Sequence, residues 1–217
     1  MKHGKLALSL LLLLLLGTVG VASADPIVTN GNFSTPSVPG SYIYNPSSAS
    51  WSFQPLTWTN LSPQSDPNGS GIQGNGSAWG FSNVPVAVGT QSAFLQGVST
   101  ISQDITLVPG QEYTLSFYLE QRPNFGVNPV TVSVGGTTFS GIDPLSTSAW
   151  TLYTDTFTAN SSTELLSFST SNNIGDNDTG LAGVSVTATP EPSTLVLFGS
   201  SLLGLFGAAR RKFGKNV

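Results

Sequence analysis

The 217-residue chain sets seven Lys and Arg against eleven Asp and Glu, a net charge of −4, and contains no cysteine and a single histidine, His3. Between Asp25 and Thr189 the imbalance sharpens to one cation, Arg122, against ten carboxylates, a net charge of −9 that repels phosphate backbones and excludes nucleic acid as a partner. That stretch has no His, Cys or Lys. It therefore lacks a Ser-His-Asp or Cys-His apparatus, a side-chain amine nucleophile and a His or Cys zinc site. Carboxylate chemistry and an oxygen-ligand Ca²⁺ site are what remain.

The chain opens with Lys2, His3 and Lys5, followed by the apolar run Leu6–Leu16 and by Ala22-Ser23-Ala24. A positive start, an apolar core and an A-x-A site predict a signal peptide over residues 1–24, cut after Ala24. The 165 residues from Asp25 to Thr189 suit one domain with a proper core. With no cysteine in an exported chain, that core must hold the fold without disulfides.

Ile27–Phe33 reads as a short strand ending in the turn signal Asn30-Gly31-Asn32, and Ser34–Ser50 as a long Pro- and Ser-rich loop. Trp51–Thr59 is expected to form an aromatic strand pair. Ser62–Ser77 carries Asp66-Pro-Asn-Gly69 and Gly74-Asn-Gly76, the punctuation of a mobile loop. Ala78–Ser82 and Gln91–Gln96 are expected to be short strands.

The pattern is sharpest next. Ile101, Gln103, Ile105 and Leu107 alternate with polar residues, and so do Tyr113, Leu115, Phe117 and Leu119 after the Pro109-Gly110 turn. Period two over both segments predicts an antiparallel pair with one buried face. Val130, Val132 and Val134 lead to Gly135-Gly136, a two-residue hairpin turn. Trp150–Thr158, Thr163–Thr170 and Leu181–Ala188 follow as strands. Nothing here shows a 3.6-residue period, so the expected class is all-β: an antiparallel β-sandwich of the jelly-roll kind.

Arg122 stands out as the lone cation, placed after the clearest strand in Glu120-Gln-Arg-Pro-Asn-Phe125. Its planar donor fork suits sugar hydroxyls or a uronate carboxylate, with Gln121 and Asn124 beside it. The other reading is a salt bridge to an acidic neighbour that pins the loop. Tyr118, Trp58 and Trp79, with Tyr42, Tyr44, Trp51 and Trp150, are candidate stacking faces for pyranose rings. Burial in the core is the competing role for each, and Trp150 at a strand start is expected in the core. Asp176-Asn-Asp178 has the look of a Ca²⁺ loop but lacks the spacing of an EF-hand, which leaves a polar hairpin as the simpler reading. Glu112, Glu120 and Asp143 cannot be paired as a glycosidase dyad from sequence alone. No catalytic residue, metal or cofactor is assigned.

The chain closes with Pro190-Glu191-Pro192, the uncharged span Ser193–Ala209 and Arg210-Arg211-Lys212. Seventeen residues of helix would reach roughly 25 Å, close to the ~30 Å hydrocarbon core. The basic end predicts a single membrane helix over 193–209 with its C-terminus cytoplasmic. These three elements, in order over about residues 189–213, resemble the PEP-CTERM sorting signal of Gram-negative bacteria. The resemblance implies recognition by an exosortase in the inner membrane, cleavage near Pro190-Glu191-Pro192, and release to the cell surface or extracellular matrix. It also implies an association with exopolysaccharide producers and biofilm.

A second resemblance spans most of Asp25–Ala188. Asn30-Gly31-Asn32-Phe33, Gln91–Gly97, Ile101–Ile105, Pro109–Phe117 and Leu181–Val186 are similar to a galactose-binding-like jelly roll, the group that holds many carbohydrate-binding modules. It implies a non-catalytic protein that associates with extracellular polysaccharide. A segment like Gln121-Arg122-Pro123-Asn124 recurs at this strand end in that group. Ser34 and Ala182 stand where the group carries the Glu and Asp of a structural Ca²⁺ site, so no Ca²⁺ is expected there. A purely structural envelope protein without a sugar site and a carboxylate-dependent glycan-active enzyme are the alternatives.

Overall fold

A computed structural model describes residues 26–61, 64–172 and 174–189. The expected signal peptide with Ala22 and Ala24, the membrane helix over 193–209, and the motif residues Pro190, Glu191, Pro192, Arg210, Arg211 and Lys212 lie outside the described residues. Among the described residues no helix is long and apolar enough to cross a membrane.

The described residues form twelve strands: β1 (Tyr42–Tyr44), β2 (Ser52–Phe53), β3 (Thr57–Leu61), β4 (Gln64–Gly74), β5 (Gln91–Gln96), β6 (Val98–Thr106), β7 (Glu112–Gln121), β8 (Val130–Val134), β9 (Thr137–Ile142), β10 (Thr151–Thr158), β11 (Thr163–Ser171) and β12 (Asp178–Ala188). They make two antiparallel sheets. One has seven strands in the order β1-β4-β5-β12-β7-β10, with β3 also on β4, and the other runs β2-β6-β11-β8-β9. Their inner faces close on one core that includes Leu115, Phe117, Leu119, Leu95 and Leu181 from the first sheet and Ile101, Ile105, Val132, Leu166 and Phe168 from the second. Phe117 meets Phe168 edge-on across the sandwich at 5.2 Å. Both rings are fully buried, each contributing roughly 1.5–3 kcal/mol of hydrophobic stabilisation.

The all-β sandwich is as expected, and the Gly135-Gly136 hairpin joins β8 to β9 with both glycines at positive φ. Six local expectations are corrected. Segments β6 and β7 do not pair with each other. β6 lies between β2 and β11, and β7 between β12 and β10, so the Val108-Pro109-Gly110 turn crosses from sheet to sheet. Their alternation signalled two apolar faces looking at one another across the core. Ile27–Phe33 is a turn and not a strand, because Asn30 and Phe33 sit at φ near +50° and the Asn30 side chain holds the loop through Thr35 O and Ala49 O, both at 2.8 Å. The loop expected over 34–50 contains β1. The aromatic pair expected over 51–59 is split, with β2 in one sheet and β3 in the other.

The largest correction is β4, which runs through the segment read as a mobile loop. Its glycines serve close packing. A Cβ on Gly71 would stand 2.1 Å from the Ile43 carbonyl oxygen and 2.6 Å from the Phe94 ring. Its polar side chains are buried and partnered: Asn68 accepts from Val98 N at 2.7 Å, and Ser70 donates to Thr100 O at 2.8 Å. Ala78–Ser82, expected as a strand, is irregular chain that lays Trp79 and Phe81 over the outer face of the seven-stranded sheet.

Candidate functional site

The outer face of the seven-stranded sheet carries a second aromatic cluster, apart from the main core. β5 alternates inward Ala93 and Leu95 with outward Phe94, and Phe94 stacks under Trp79 at 4.4 Å. The Arg122 guanidinium lies over the same indole at 4.6 Å, with its other contact at 4.0 Å on Phe125. Phe94, Trp79, Arg122 and Phe125 thus form one continuous stack. A cation between π faces is stabilised by about 0.5–2 kcal/mol per contact, and Arg is the residue whose plane fits.

Arg122 continues the chain from β7 and is tied to the start of β12, its amide donating to Asp178 O at 3.1 Å. Its Nη1 donates to Asp176 Oδ2 and Asp178 Oδ2, each at 2.7 Å. Asp178 is fully buried, whereas Asp176 is about one-third exposed. Burial pushes the Asp178 carboxyl well above the ordinary carboxylate value, and the Arg122 fork offsets only part of that. Gln96 ties the cluster to β5: it accepts from Tyr44 Oη and donates to Asp176 Oδ1. Burial, with the two aspartates beside it, raises Tyr44 far above an ordinary phenol, which keeps it a neutral donor.

These side chains line an open pocket of about 180 Å³ made by Tyr42, Tyr44, Ala78, Trp79, Gln96, Arg122 and Asp176. That volume is below the ~300 Å³ at which drug-sized ligand sites begin. Three buried polar atoms of this cluster have no protein partner among the described residues: Arg122 Nε, Trp79 Nε1 and Asp178 Oδ1. At the edge of the sheet where β1 and β3 pair with β4, the register sets Trp58 opposite Pro67, Tyr44 opposite Gly71 and Tyr42 opposite Gln73. Period two puts all three on one face. Trp58 is 62% exposed and Tyr42 46%. A larger apolar groove of about 440 Å³, between Pro26–Val28 and Val184–Ala188, has no titratable side chain.

Of the residues singled out from sequence, Arg122, Trp79, Tyr42 and Tyr44 come together here, with Trp58 further along the same edge. Trp79 is only 6% exposed, sandwiched between Phe94 and Arg122. Gln121 turns away from Arg122, donating to Phe125 O at 2.6 Å, and Asn124 is exposed at φ +68° in the loop. Tyr118 lies four residues back along β7, opposite Ala182, about 13 Å from Arg122. Trp51 is buried in the main core, and Trp150 is half-buried against Phe81, donating to Ser82 O at 2.9 Å.

Asp176 and Asp178, read as a weak Ca²⁺ loop, are engaged with Arg122. Among the described residues no group of three His, Cys, Asp or Glu could hold a metal. Glu120 is buried and accepts from Ser82 N and Oγ, and its carboxyl is raised by that burial. Sequence reasoning missed Gln96 and Phe125 and the pairing of Arg122 with Asp176 and Asp178. They are 54 and 56 residues apart, and no local pattern links them.

Among solved structures, a cyclase from Fischerella sp. TAU, crystallised with 4-(1H-indol-3-yl)butan-2-one, is similar at TM-score 0.53 and 19% identity over 78% of this chain and 100% of that one. TmCBM61, solved with β-1,4-galactotriose, reaches 0.47 at 12% identity over 76% and 100%. A putative sugar-binding protein from Bacteroides thetaiotaomicron reaches 0.48 at 11% identity over 76% and 100%. No curated protein sequence matches the chain. By its own topology, two antiparallel sheets closed on one core, the fold is an antiparallel jelly-roll sandwich.

The family model of the PEP-CTERM protein-sorting motif matches residues 188–212. The motif marks a secreted protein with a C-terminal membrane-anchoring sorting signal.

Proposed function

We propose that this is a non-catalytic exported module, sorted by an exosortase-type system to the cell surface or extracellular matrix, where it associates with polysaccharide through the outer face of its seven-stranded sheet. The domain is residues 25–189, preceded by a signal peptide over 1–24 and followed by the sorting signal over 190–217. The observation that carries the reading is the open pocket lined by Tyr42, Tyr44, Gln96, Arg122 and Asp176, with the exposed ring of Tyr42 at its rim and that of Trp58 further along the same edge. Flat rings accept the apolar faces of sugars, and the part-exposed Asp176 carboxylate in the pocket can accept from sugar hydroxyls.

The non-catalytic reading is supported by the carboxylates nearest the pocket, which are committed elsewhere: Asp176 and Asp178 to Arg122, Glu120 to Ser82. The pocket sits at the Asp178 end of β12 and the sorting motif begins at its Ala188 end, about 30 Å away for a strand of this length. A tethered precursor therefore carries its pocket at the pole away from its anchor.

The double ion pair of Arg122 favours a second reading, in which the domain is purely structural and Arg122 only pins two loops. Affinity electrophoresis of the protein lacking residues 1–24 and 190–217 against the host's exopolysaccharide separates them. Trp58→Ala and Tyr42→Ala are the informative variants, since both rings are exposed, and the melting temperature of each checks that the fold is kept. Retardation of the wild type that falls at least fivefold in either variant supports binding. An unretarded wild type refutes it.

A further inference from the structure

The sorting motif begins inside the fold. Its matched residues start at 188, and Ala188 is still paired with Tyr113 of β7. Thr189 follows with its amide donated to Glu112 O at 2.9 Å, and its carbonyl accepts from Gln111 Nε2 at 3.0 Å. Its hydroxyl lies 3.4 Å from that of Thr114. Pro190 is the next residue, and the uncharged span begins at Ser193. No spacer separates a hydrogen-bonded sheet residue from the tripeptide, and three residues reach at most about 11 Å. A membrane-embedded enzyme that takes this motif therefore meets the folded body itself. The pole it meets is the Val108–Glu112 turn, where Val108 is 64% exposed, and the 159–162 turn bonded to it through Gly110 N and Leu107 N.

The end of β12 is also held differently from its start. β5 pairs only with Asp178–Leu181, whereas β7 pairs along both halves, with a register shift between Ala182 and Ser185. Beyond that shift Ser185–Ala188 hangs in the sheet from β7 alone. A segment paired on one side only opens locally with fewer backbone bonds to break, here at the cost of uncovering Val186, while Thr187 and Ala188 are already exposed. Enzymes that grip peptides as extended chain need free main-chain groups beside the motif.

We infer that this pole is the docking face for the membrane-embedded sorting enzyme, and that Ser185–Thr189 must peel from β7 before the enzyme can take Pro190-Glu191-Pro192. The domain thereby gates its own processing. This rests on the sorting motif and is independent of any sugar site.

The test follows the full-length precursor by pulse-chase in cells that carry out the sorting. Thr114 and Thr187 are direct partners in the β7–β12 ladder, and Cα pairs of that kind lie about 4.5–5.5 Å apart, within disulfide reach. The chain has no other cysteine to compete. The cross-linked Thr114→Cys/Thr187→Cys precursor is expected to be processed at least tenfold more slowly, with the rate restored by reductant. A six-residue Gly/Ser insertion between Thr189 and Pro190 is expected to speed processing several-fold. Processing of the cross-linked precursor at the wild-type rate overturns the inference. So does an insertion variant processed no faster than wild type.

Discussion

Replacing Arg122 by Met tests what holds the pocket together. The substitution keeps much of the side-chain volume and removes the domain's only cation. Asp178, fully buried, then has no counter-charge, while Asp176 is exposed enough to be solvated. Removing one partner of a buried pair costs about 3–5 kcal/mol. The Asp176 pair, screened by water, adds about 1 kcal/mol at most, and the two cation–π contacts about 0.5–2 kcal/mol each, part of which the Met side chain recovers by packing.

At pH 7.5 the expected loss from Arg122→Met is thus about 4 kcal/mol, or roughly 8–16 °C in melting temperature for a domain of this size. Most of it is the penalty of a buried charge, so it depends on pH. Without Arg122 the Asp178 carboxyl rises further, and in acid it is neutral in the folded state. The loss is expected to shrink to about half at pH 4.5. Asp178→Asn in the same chain is expected to recover about 2 kcal/mol at pH 7.5. Urea unfolding of the four variants of the cycle, at both pH values, measures each term. A loss under 1 kcal/mol, or one equal at the two pH values, refutes the reasoning that Arg122 is there to neutralise Asp178.

Wild-type stability carries the same sign. Burial raises Glu120 above its ordinary 4.5 and Asp178 well above its ordinary 3.8. A carboxyl whose folded pKa is raised contributes stability that is complete below its ordinary value and lost as pH climbs through the folded one. The melting temperature is expected to rise from pH 8 to pH 5, and Glu120→Gln to flatten that slope; scanning calorimetry at unit pH steps that shows an unchanged slope removes Glu120 from the account. The two kinds of glycine also differ measurably. Gly71→Ala drives a Cβ into the Ile43 carbonyl and the Phe94 ring and is expected to cost at least 3 kcal/mol. Gly110→Ala meets open space and faces only its φ of +81°, about 1–2 kcal/mol. Equal losses in urea titrations of the two would show that the close packing of β4 is not what its glycines provide.

Much of the fold was legible where one face is buried and the other wet. β6, β7, β8 and β11 carry that alternation, and their burial follows it except at Glu120, which is buried beside Leu119 at the end of β7. The Gly135-Gly136 hairpin was legible because only a turn with positive φ needs that pair. β4 was not, since a strand buried through Asn68, Ser70 and Gln73 has the composition of a loop, and its glycines serve neighbours distant in sequence. Of the candidate site, single residues could be named: Arg122 as the lone cation, Trp58, Tyr42 and Tyr44 as aromatics in a polar region. Their grouping could not.

By itself the sequence determined the charge, the exclusion of His and Cys chemistry, the sorting motif over 188–212 and the two-sheet class, because each depends on residue identity or local period. The tertiary structure decided that β6 and β7 face each other instead of pairing, and that Arg122 is clamped by Asp176 and Asp178 against Trp79 and Phe125. It also decided that the sorting motif starts on a hydrogen-bonded strand end. Each of these is a contact between segments far apart in the chain. Such contacts are chosen by which faces the core buries together, a choice that no local pattern records.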